Sequence, residues 1–411
     1  MRRNGRVPRA SIVAALATAI MIMSAVPAAA LSTSADVGPW MANGRVYTSV
    51  RVGNTLYIGG MFTKVEERAS GGDSYAANNL AAIDVTTGAG IPSFTPDVTD
   101  SVDTATVRSL AVSSDGSTLY VGGTFESVDG QARQNLAAID LATGQATPYS
   151  PRVENGGGGL TKVAAIVTTP DAVYLGGRFS TVDGQRRAKA AATAADGTLL
   201  SGWRPILNNR VEALAVAGDG SIFIGGKFTT VTVGGTVFAR QLVAQVTADT
   251  ADVLSFSLSN DSQLTDNVVH TILATSTRVY LGVGAHGPNW VGSYNVGSGA
   301  LVWKFGTVGN VQALSMPPDG SRLFFGGHFG TGRLQQTVCG TQHLHGLAFM
   351  ADPETTGWHA PDCGWIPSIE PFGSNFQGVW TISNTPSFIW VGGGFKAVGG
   401  VSHLNLARFT L

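Results

Sequence analysis

The sequence contains several segments that resemble one another, and the side chain at one equivalent position differs among them. This position directly follows a valine, or Phe376 in the last segment. In three of the segments it is occupied by Arg108, Glu212 and His270, which supply a guanidinium, a carboxylate and a titratable base. Such groups can clamp an anion or act in acid–base chemistry once a rigid scaffold brings them together. We predict a ligand-binding ring, with no catalytic residue assigned, formed by Tyr47, Arg108, Glu212, His270, Gln312 and Gln377.

These residues belong to a repeated segment whose marker is a double glycine followed, after one residue, by phenylalanine. The copies are spaced by roughly 55 residues, a period typical of stacked supersecondary units. An Asp-Gly turn precedes several copies, and Asp-Gly between apolar residues is a strong hairpin signal. The marker lies at 58–62, 121–125, 175–179, 224–228, 325–329 and 391–395, with a degenerate copy at 281–284.

Two further segments follow the double glycine in most copies. An Asn-Leu-Ala segment at 79–84, 135–140 and 405–409 predicts a third strand, and an aromatic-x-Pro segment at 94–96, 149–151, 203–205 and 365–367 predicts a fourth. A unit of this size can bury its apolar faces only against neighbouring units. We predict an all-β, seven-bladed β-propeller with four antiparallel strands per blade.

The two ends of the chain predict how the ring closes. The last copy stops directly after its third strand, whereas residues 39–46 resemble residues 203–211, which include a fourth strand. An N-terminal strand that completes the last blade would pair both ends and remove an open sheet edge. The innermost strands would then line a central channel and gather the predicted ligand-binding ring. A water-filled channel that binds no ligand is the alternative.

The N-terminal residues resemble an export signal. Four arginines precede an uncharged apolar run at 11–26, and an A-x-A cleavage site follows at 27–30. The run is short for a bilayer span of about 20 residues. We predict a signal peptide at 1–30, a single propeller domain at 31–411 with no membrane span after cleavage, and a secreted protein that is extracellular or associated with the cell surface. An uncleaved anchor is the alternative.

Composition narrows the class of partner. Charged residues form only 13% of the chain and the formal net charge is −1, which is not the electrostatic footprint of a nucleic-acid-binding protein. We expect no nucleic-acid partner and a monomer whose partner is an extracellular glycan or protein.

A second group of candidate residues is a set of histidines late in the chain. His343 and His345 alternate along one predicted strand and therefore share a face, which would suit zinc or copper. No carboxylate accompanies them at a diagnostic spacing, so the sequence predicts no metal and no other cofactor. The candidate ligands, kept as the weaker hypothesis, are His328, His343, His345 and His359.

The chain has two cysteines, Cys339 and Cys363. Export permits their oxidation, and we predict a disulfide between them. A thiolate nucleophile or a metal ligand is the alternative.

The combined motifs resemble a known repeat family. The [YF]-[IVLF]-G-G-x-F, D-G and N-L-A-x-[IF] elements are similar to the secreted bacterial propeller repeats called delta-sixty repeats, and more distantly to those of fungal cortical polarity-marker proteins. The resemblance covers nearly the whole mature chain and implies an extracellular or cell-surface propeller, without implying an activity. The fifth copy departs from the pattern, because residues 286–289 replace its phenylalanine.

Two functions fit these patterns. The first is a non-enzymatic extracellular binding module, and Trp290, Trp358 and Trp380, outside the aromatic-x-Pro segments, could stack on sugars or pack between blades. The second is a hydrolase or lyase that acts on an extracellular polymer or lactone at the axial channel. Because no G-x-S-x-G or H-E-x-x-H motif occurs, we favour the binding module.

The predicted disulfide can be tested on the secreted protein. Alkylation in denaturant should label neither cysteine before reduction and both afterwards, as measured by intact mass. Reduction should lower the free energy of unfolding by about 3 kcal/mol, because the bridge restricts the unfolded chain. Labelling of both cysteines without reductant would exclude the bridge.

Overall fold

The computed structural model describes residues 31–411 except 69–70, 157–159, 259–263, 330–335, 339, 341 and 373–376. The predicted signal peptide and Cys339 therefore lie outside the described residues. Within the described part the secondary structure consists of strands, turns and bends, and no helix there is long and apolar enough to cross a membrane. Strands are numbered in chain order.

The larger sheets share one arrangement, in which the double-glycine strand lies between two antiparallel neighbours. The first strands are β2 (Arg45–Val52), β8 (Thr106–Val112), β14 (Lys162–Thr168), β20 (Val211–Val216), β25 (Asn267–Ala274), β29 (Val311–Ser315) and β35 (Val379–Asn384). The central strands are β3 (Thr55–Met61), β9 (Thr118–Thr124), β15 (Val173–Arg178), β21 (Ile222–Gly226), β26 (Arg278–Ala285), β30 (Arg322–Gly327) and β36 (Phe388–Gly393). The third strands are β6 (Leu80–Asp84), β12 (Leu136–Asp140), β18 (Ala190–Thr193), β24 (Val243–Val246), β27 (Asn289–Asn295), β33 (Leu347–Ala351) and β39 (Leu406–Thr410).

Small sheets accompany most of the larger sheets. In most of them a short strand before the first strand pairs with a hairpin inserted between the second and third strands. Their members are β1 (Met41–Ala42), β4 (Lys64–Glu66) and β5 (Ser74–Ala76); β7 (Val98–Thr99), β10 (Ser127–Val128) and β11 (Gln131–Ala132); β13 (Val153–Glu154), β16 (Thr181–Val182) and β17 (Gln185–Arg186); β19 (Ile206–Leu207), β22 (Thr230–Val233) and β23 (Thr236–Ala239); β31 (Gln336–Val338) and β32 (Gln342–Leu344); β34 (Ile369–Pro371), β37 (Phe395–Val398) and β38 (Val401–Ser402).

The predicted fourth strand is shorter than expected in most repeats. Only the fifth repeat has a full one within the described residues, β28 (Leu301–Thr307), whereas four others have a single bridge, such as that between Ile83 and Gly90. The proline of the aromatic-x-Pro segment has no N–H to donate to a ladder. The aromatic side chain packs instead: Tyr174 meets the buried Trp203 edge-on, with ring centroids 5.1 Å apart.

The two glycines of each pair have different neighbours. A Cβ on Gly123 would overlap the carbonyl oxygen of Thr106 in its own sheet, whereas a Cβ on Gly122 would lie 2.6 Å from Val163 Cγ1 in the next sheet. The phenylalanine after the pair is buried, as at Phe125. Equivalent contacts of the first glycine join Gly59 to Val107, Gly122 to Val163, Gly176 to Val211, Gly225 to Val269, Gly282 to Val311, Gly326 to Val379 and Gly392 to Val46.

The structural role of the first glycine can be measured at Gly122. We expect Gly122→Ala to lower the free energy of unfolding by about 1 to 3 kcal/mol, because the added methyl group overpacks the contact with Val163. Gly38→Ala is the matched control, because nothing lies within 4 Å of its added Cβ. Urea titration of both variants tests the difference. Equal stability of the two variants would contradict it.

Candidate ligand-binding site

Each first strand contains a β-bulge at the same place. On β8 the register shifts between Val107 and Ser109, which leaves Arg108 without a partner residue on β9. A bulge turns the extra side chain away from the regular alternation of the strand. The bulged residues, called here the bulge ring, are Tyr47, Arg108, Ala164, Glu212, His270, Gln312 and Trp380.

The bulge ring lines one cavity. Its seven residues, together with Lys162, surround a space of about 250 Å³. A second space of about 330 Å³ is lined by the seven residues of the bulge ring and by the two positions that follow each of them, such as Ser109 and Leu110. The structure thus brings together five of the six residues predicted for the ligand-binding ring: Tyr47, Arg108, Glu212, His270 and Gln312.

The sixth predicted residue, Gln377, does not line this cavity. The last strand bulges between Val379 and Thr381, so Trp380 occupies the equivalent position. Gln377 is buried nearby, and its side-chain oxygen accepts a hydrogen bond from the Phe372 N–H at 3.0 Å.

A sequence signal for Trp380 exists. Residues 379–382 have the same Val-x-Thr-Ile pattern as residues 269–272, which contain His270. Gln377, which follows Phe376, lies three residues before this position. Val379 packs against Gly326 of the preceding sheet, and the bulge begins directly after this valine, so Trp380 and not Gln377 is the bulged residue.

Glu212 lies between two cations. Its carboxylate oxygens are 2.7 Å from Lys162 Nζ and 2.8 Å from Arg210 Nε, and only 15% of the side chain is exposed. Burial by itself raises the pKa of this carboxyl group, but attraction to Lys162, Arg210 and His270 outweighs burial and lowers the pKa below its ordinary value. Glu212 is therefore a largely buried, paired carboxylate at neutral pH.

Arg108 stacks on an aromatic neighbour. Its guanidinium carbon lies 3.7 Å from the centroid of the Tyr47 ring, and Tyr47 meets Trp380 edge-on at 5.4 Å between centroids. The Arg108 Nε atom is buried and has no hydrogen-bond partner among the described residues. A guanidinium carries five N–H donors, so this side chain retains donors for a ligand.

His270 is uncharged at neutral pH. Its pKa is lowered to about 4, chiefly by burial; the negative charge of Glu212 opposes this shift, and repulsion from His328, Arg210 and Lys162 adds to it. Its Nε2 atom is buried without a hydrogen-bond partner among the described residues. The imidazole can therefore offer a hydrogen bond to a ligand, but it is a weak base.

The histidines proposed as the weaker, metal-binding hypothesis have different environments. His328 is buried, which lowers its pKa to about 4, whereas His359 packs against Trp303 at 5.0 Å between ring centroids. The rings of His343 and His345 lie 6.3 Å apart. Within the described residues, no group of three or more His, Cys, Asp or Glu side chains is arranged to hold a metal ion.

Cys363 is exposed, while its predicted partner Cys339 lies outside the described residues. The disulfide therefore stays a prediction. The three tryptophans considered as sugar platforms differ: Trp290 is buried, Trp358 is 84% exposed, and Trp380 lines the cavity of the bulge ring.

Comparison with known proteins identifies the fold. No protein-family model and no curated protein sequence matches the chain. Among solved structures, the chain is similar to the WD40 β-propeller domain of Doa1, with 12% identity, coverage of 92% of this chain and 98% of that chain, and a TM-score of 0.52. It is also similar to the RRP9 WD40 repeats, with 10% identity, coverage of 92% and 98%, and a TM-score of 0.58. At such low identity the likeness concerns the fold alone, and the chain is an all-β protein with the β-propeller fold.

Proposed function

We propose that this protein is a secreted, non-enzymatic binding module that recognises an extracellular glycan or protein through the cavity of the bulge ring. The observation that carries the proposal is the convergence of unlike side chains from equivalent strands on one cavity. The glycines and valines around them repeat from sheet to sheet, whereas the bulged residues differ. Positions that packing leaves unconstrained are those where a rigid scaffold can present groups to a ligand.

The proposal includes a seven-bladed ring closed by the N-terminal segment. Contacts between first strands support it, because β2, β8, β14, β20, β25, β29 and β35 touch in that order and β35 also touches β2. The Asp36 N–H donates to the Arg408 carbonyl at 2.8 Å, as the Ile91 N–H donates to the Ala82 carbonyl at 2.9 Å. Asp36 thus hydrogen-bonds to the third strand of the last repeat in the way that Ile91, in the fourth segment of the first repeat, hydrogen-bonds to the third strand of that repeat. An ion pair between the Asp36 and Arg408 side chains adds to this contact.

The same proposal includes that the protein is secreted and that its repeats are related to the delta-sixty repeats. Both properties are supported by the signal-like pattern of residues 1–30 and by the repeat motifs. The likeness to WD40 propellers is compatible with a partner that is a protein. We propose that the module acts as a monomer outside the cell or at its surface.

Catalysis at the bulge ring is the second candidate function, and the electrostatics favour binding over it. An efficient general base has a pKa near the working pH. The pKa of Glu212 lies below its ordinary value, and that of His270 is about 4. Both groups are therefore weak bases at neutral pH, while both can still hold hydrogen bonds to a ligand.

Binding and catalysis can be separated with Glu212→Ala and His270→Ala. We expect the wild-type protein to bind at least one ligand on a glycan array or in an extracellular protein panel, and each variant to bind it about tenfold or more weakly, because a charged or polar contact is lost. The same samples should show no hydrolysis of the bound ligand. Glu370→Gln, a half-exposed carboxylate change in the last repeat, is the control and should bind normally.

Two results would count against this assignment. Unchanged binding by well-folded Glu212→Ala and His270→Ala would exclude the bulge ring as the site. Turnover by the wild type that both variants lose, with circular dichroism unchanged, would replace the binding module by an enzyme.

The burial of His270 predicts a pH-dependent stability. Its pKa is about 4 in the folded chain and 6.5 ordinarily, so the unfolded chain takes up the proton first as the pH falls. The free energy of unfolding should therefore decrease from about pH 6.5 to about pH 4, by at most about 1.4 kcal/mol per pH unit for this group. His270→Gln should make the decrease shallower, although His328 contributes a similar one. Urea titrations across this range provide the measurement, with His343→Gln as the control, and identical slopes would contradict the prediction.

A further inference from the structure

A third cavity adjoins the bulge ring. It has a volume of about 560 Å³ and shares Arg108, Lys162 and Glu212 with the first cavity. We call it the basic basin, because its ionisable lining consists of the cations Arg108, Lys162, Arg178 and Arg210 and the carboxylates Asp103 and Glu212. Its volume falls within the range of about 300 to 1,000 Å³ that is typical of small-molecule sites.

The basic basin carries more positive charge than the protein as a whole. Four cations against two carboxylates leave a formal excess of two positive charges, whereas the whole chain has a net charge of −1. Positive side chains around a concave surface raise the local concentration of anions. The charge pattern therefore favours an anionic ligand at this place.

Two of these cations lie where their like charges destabilise the sheet. Lys162 and Arg178 are directly opposite each other on β14 and β15, and like charges in that arrangement destabilise a sheet. The preceding repeat has Thr106 opposite Thr124 at the same place, so the fold does not require charge there. A destabilising pair that packing does not demand indicates a role in binding.

Two guanidinium groups of the basin remain available to a ligand. Lys162 and Arg210 are engaged by Glu212. Arg108, in contrast, has a buried Nε without a hydrogen-bond partner among the described residues. Arg178 is exposed, and its side chain makes no hydrogen bond or ion pair with the described part of the chain. Guanidinium groups match the paired oxygens of carboxylates and of sulfate or phosphate groups.

We propose that the basic basin binds the oxyanion group, a carboxylate or a sulfate ester, of an acidic oligosaccharide. The inference rests on the proposed function and names its ligand class. The adjoining cavity offers the half-buried indole of Trp380 and the amide of Gln312, a ring and a hydrogen-bonding group of the kinds that hold a sugar. Arg108 lines both cavities and joins the two parts of the site.

Isothermal titration of the full-length secreted protein tests the proposal. The probes are an oligogalacturonate hexasaccharide, a sulfated glycosaminoglycan hexasaccharide, neutral maltohexaose and sodium sulfate. We expect one of the acidic hexasaccharides to bind and the neutral one to bind at least about tenfold more weakly, and the comparison of the two acids assigns carboxylate or sulfate. Binding should weaken with salt, because the contact is between charges.

The variants Arg108→Gln and Arg178→Gln each should weaken binding of the acidic hexasaccharide about tenfold or more, since each removes a charge-assisted contact. Arg51→Gln is the matched control: it makes the same charge change on an exposed side chain at the other end of β2 and should bind as the wild type does. Arg178 is the discriminating residue, because it lines the basic basin but is not part of the bulge ring.

The possible failures are distinguishable. If maltohexaose binds as tightly as the acidic hexasaccharides and Arg178→Gln has no effect, the oxyanion site is wrong while the proposed binding function stands. If sodium sulfate alone binds as tightly as the sulfated hexasaccharide, the basin holds a free anion and the oligosaccharide assignment is wrong. If only a protein ligand binds, the assignment is wrong as well. If neither these probes nor any ligand of the glycan array and the extracellular protein panel binds to the wild type, both proposals fail.

Discussion

The contact between a glycine of one sheet and a valine of the next is the constraint on which the rest of the structure depends. At Gly176 the place of a side chain is taken by Val211 Cγ1, so the two sheets approach more closely than any larger residue would allow. The same contact joins Gly392 near the end of the chain to Val46 near its beginning. Because the valine directly precedes the bulged residue, this packing is adjacent to the side chain that lines the cavity of the bulge ring.

A residue that packs between sheets and a residue that lines the cavity are therefore neighbours on a single strand. Val211 is fully buried between sheets, whereas its neighbour Glu212 is released from the ladder by the bulge and faces Lys162 and Arg210. A bulged residue has no cross-strand partner, so its side chain can change with little cost to the sheet. The framework can thus hold an uncharged imidazole on His270 and, on Arg108, a buried Nε donor that no described residue accepts from.

The fifth repeat illustrates how a local departure from the pattern is absorbed. Where other repeats have a small hairpin, β26 turns directly into β27, and a full fourth strand, β28, follows. Trp290 is buried there and lies beneath the ammonium group of Lys304, 4.2 Å from the ring centroid. The sequence allowed Trp290 either to stack on a sugar or to pack between blades, and in the structure it packs. Trp380, in a regular repeat, lines the cavity of the bulge ring.

The sequence by itself determined what depends on neighbours along the chain. The Asp-Gly turns, the double glycines and the buried phenylalanines repeat because each satisfies a local requirement, such as the positive φ of Gly116 or Gly220, and so the strands and the propeller class were predictable. Five of the six ring residues were also predictable, since they share a spacing from the same valine. The sequence also contains a signal for Trp380, the pattern it shares with the segment around His270. Tertiary structure alone decided the rest, including the ion pairs of Glu212 and the facing charges of Lys162 and Arg178. Those features arise from the register between strands and from contacts between residues distant in sequence, which no spacing along the chain encodes.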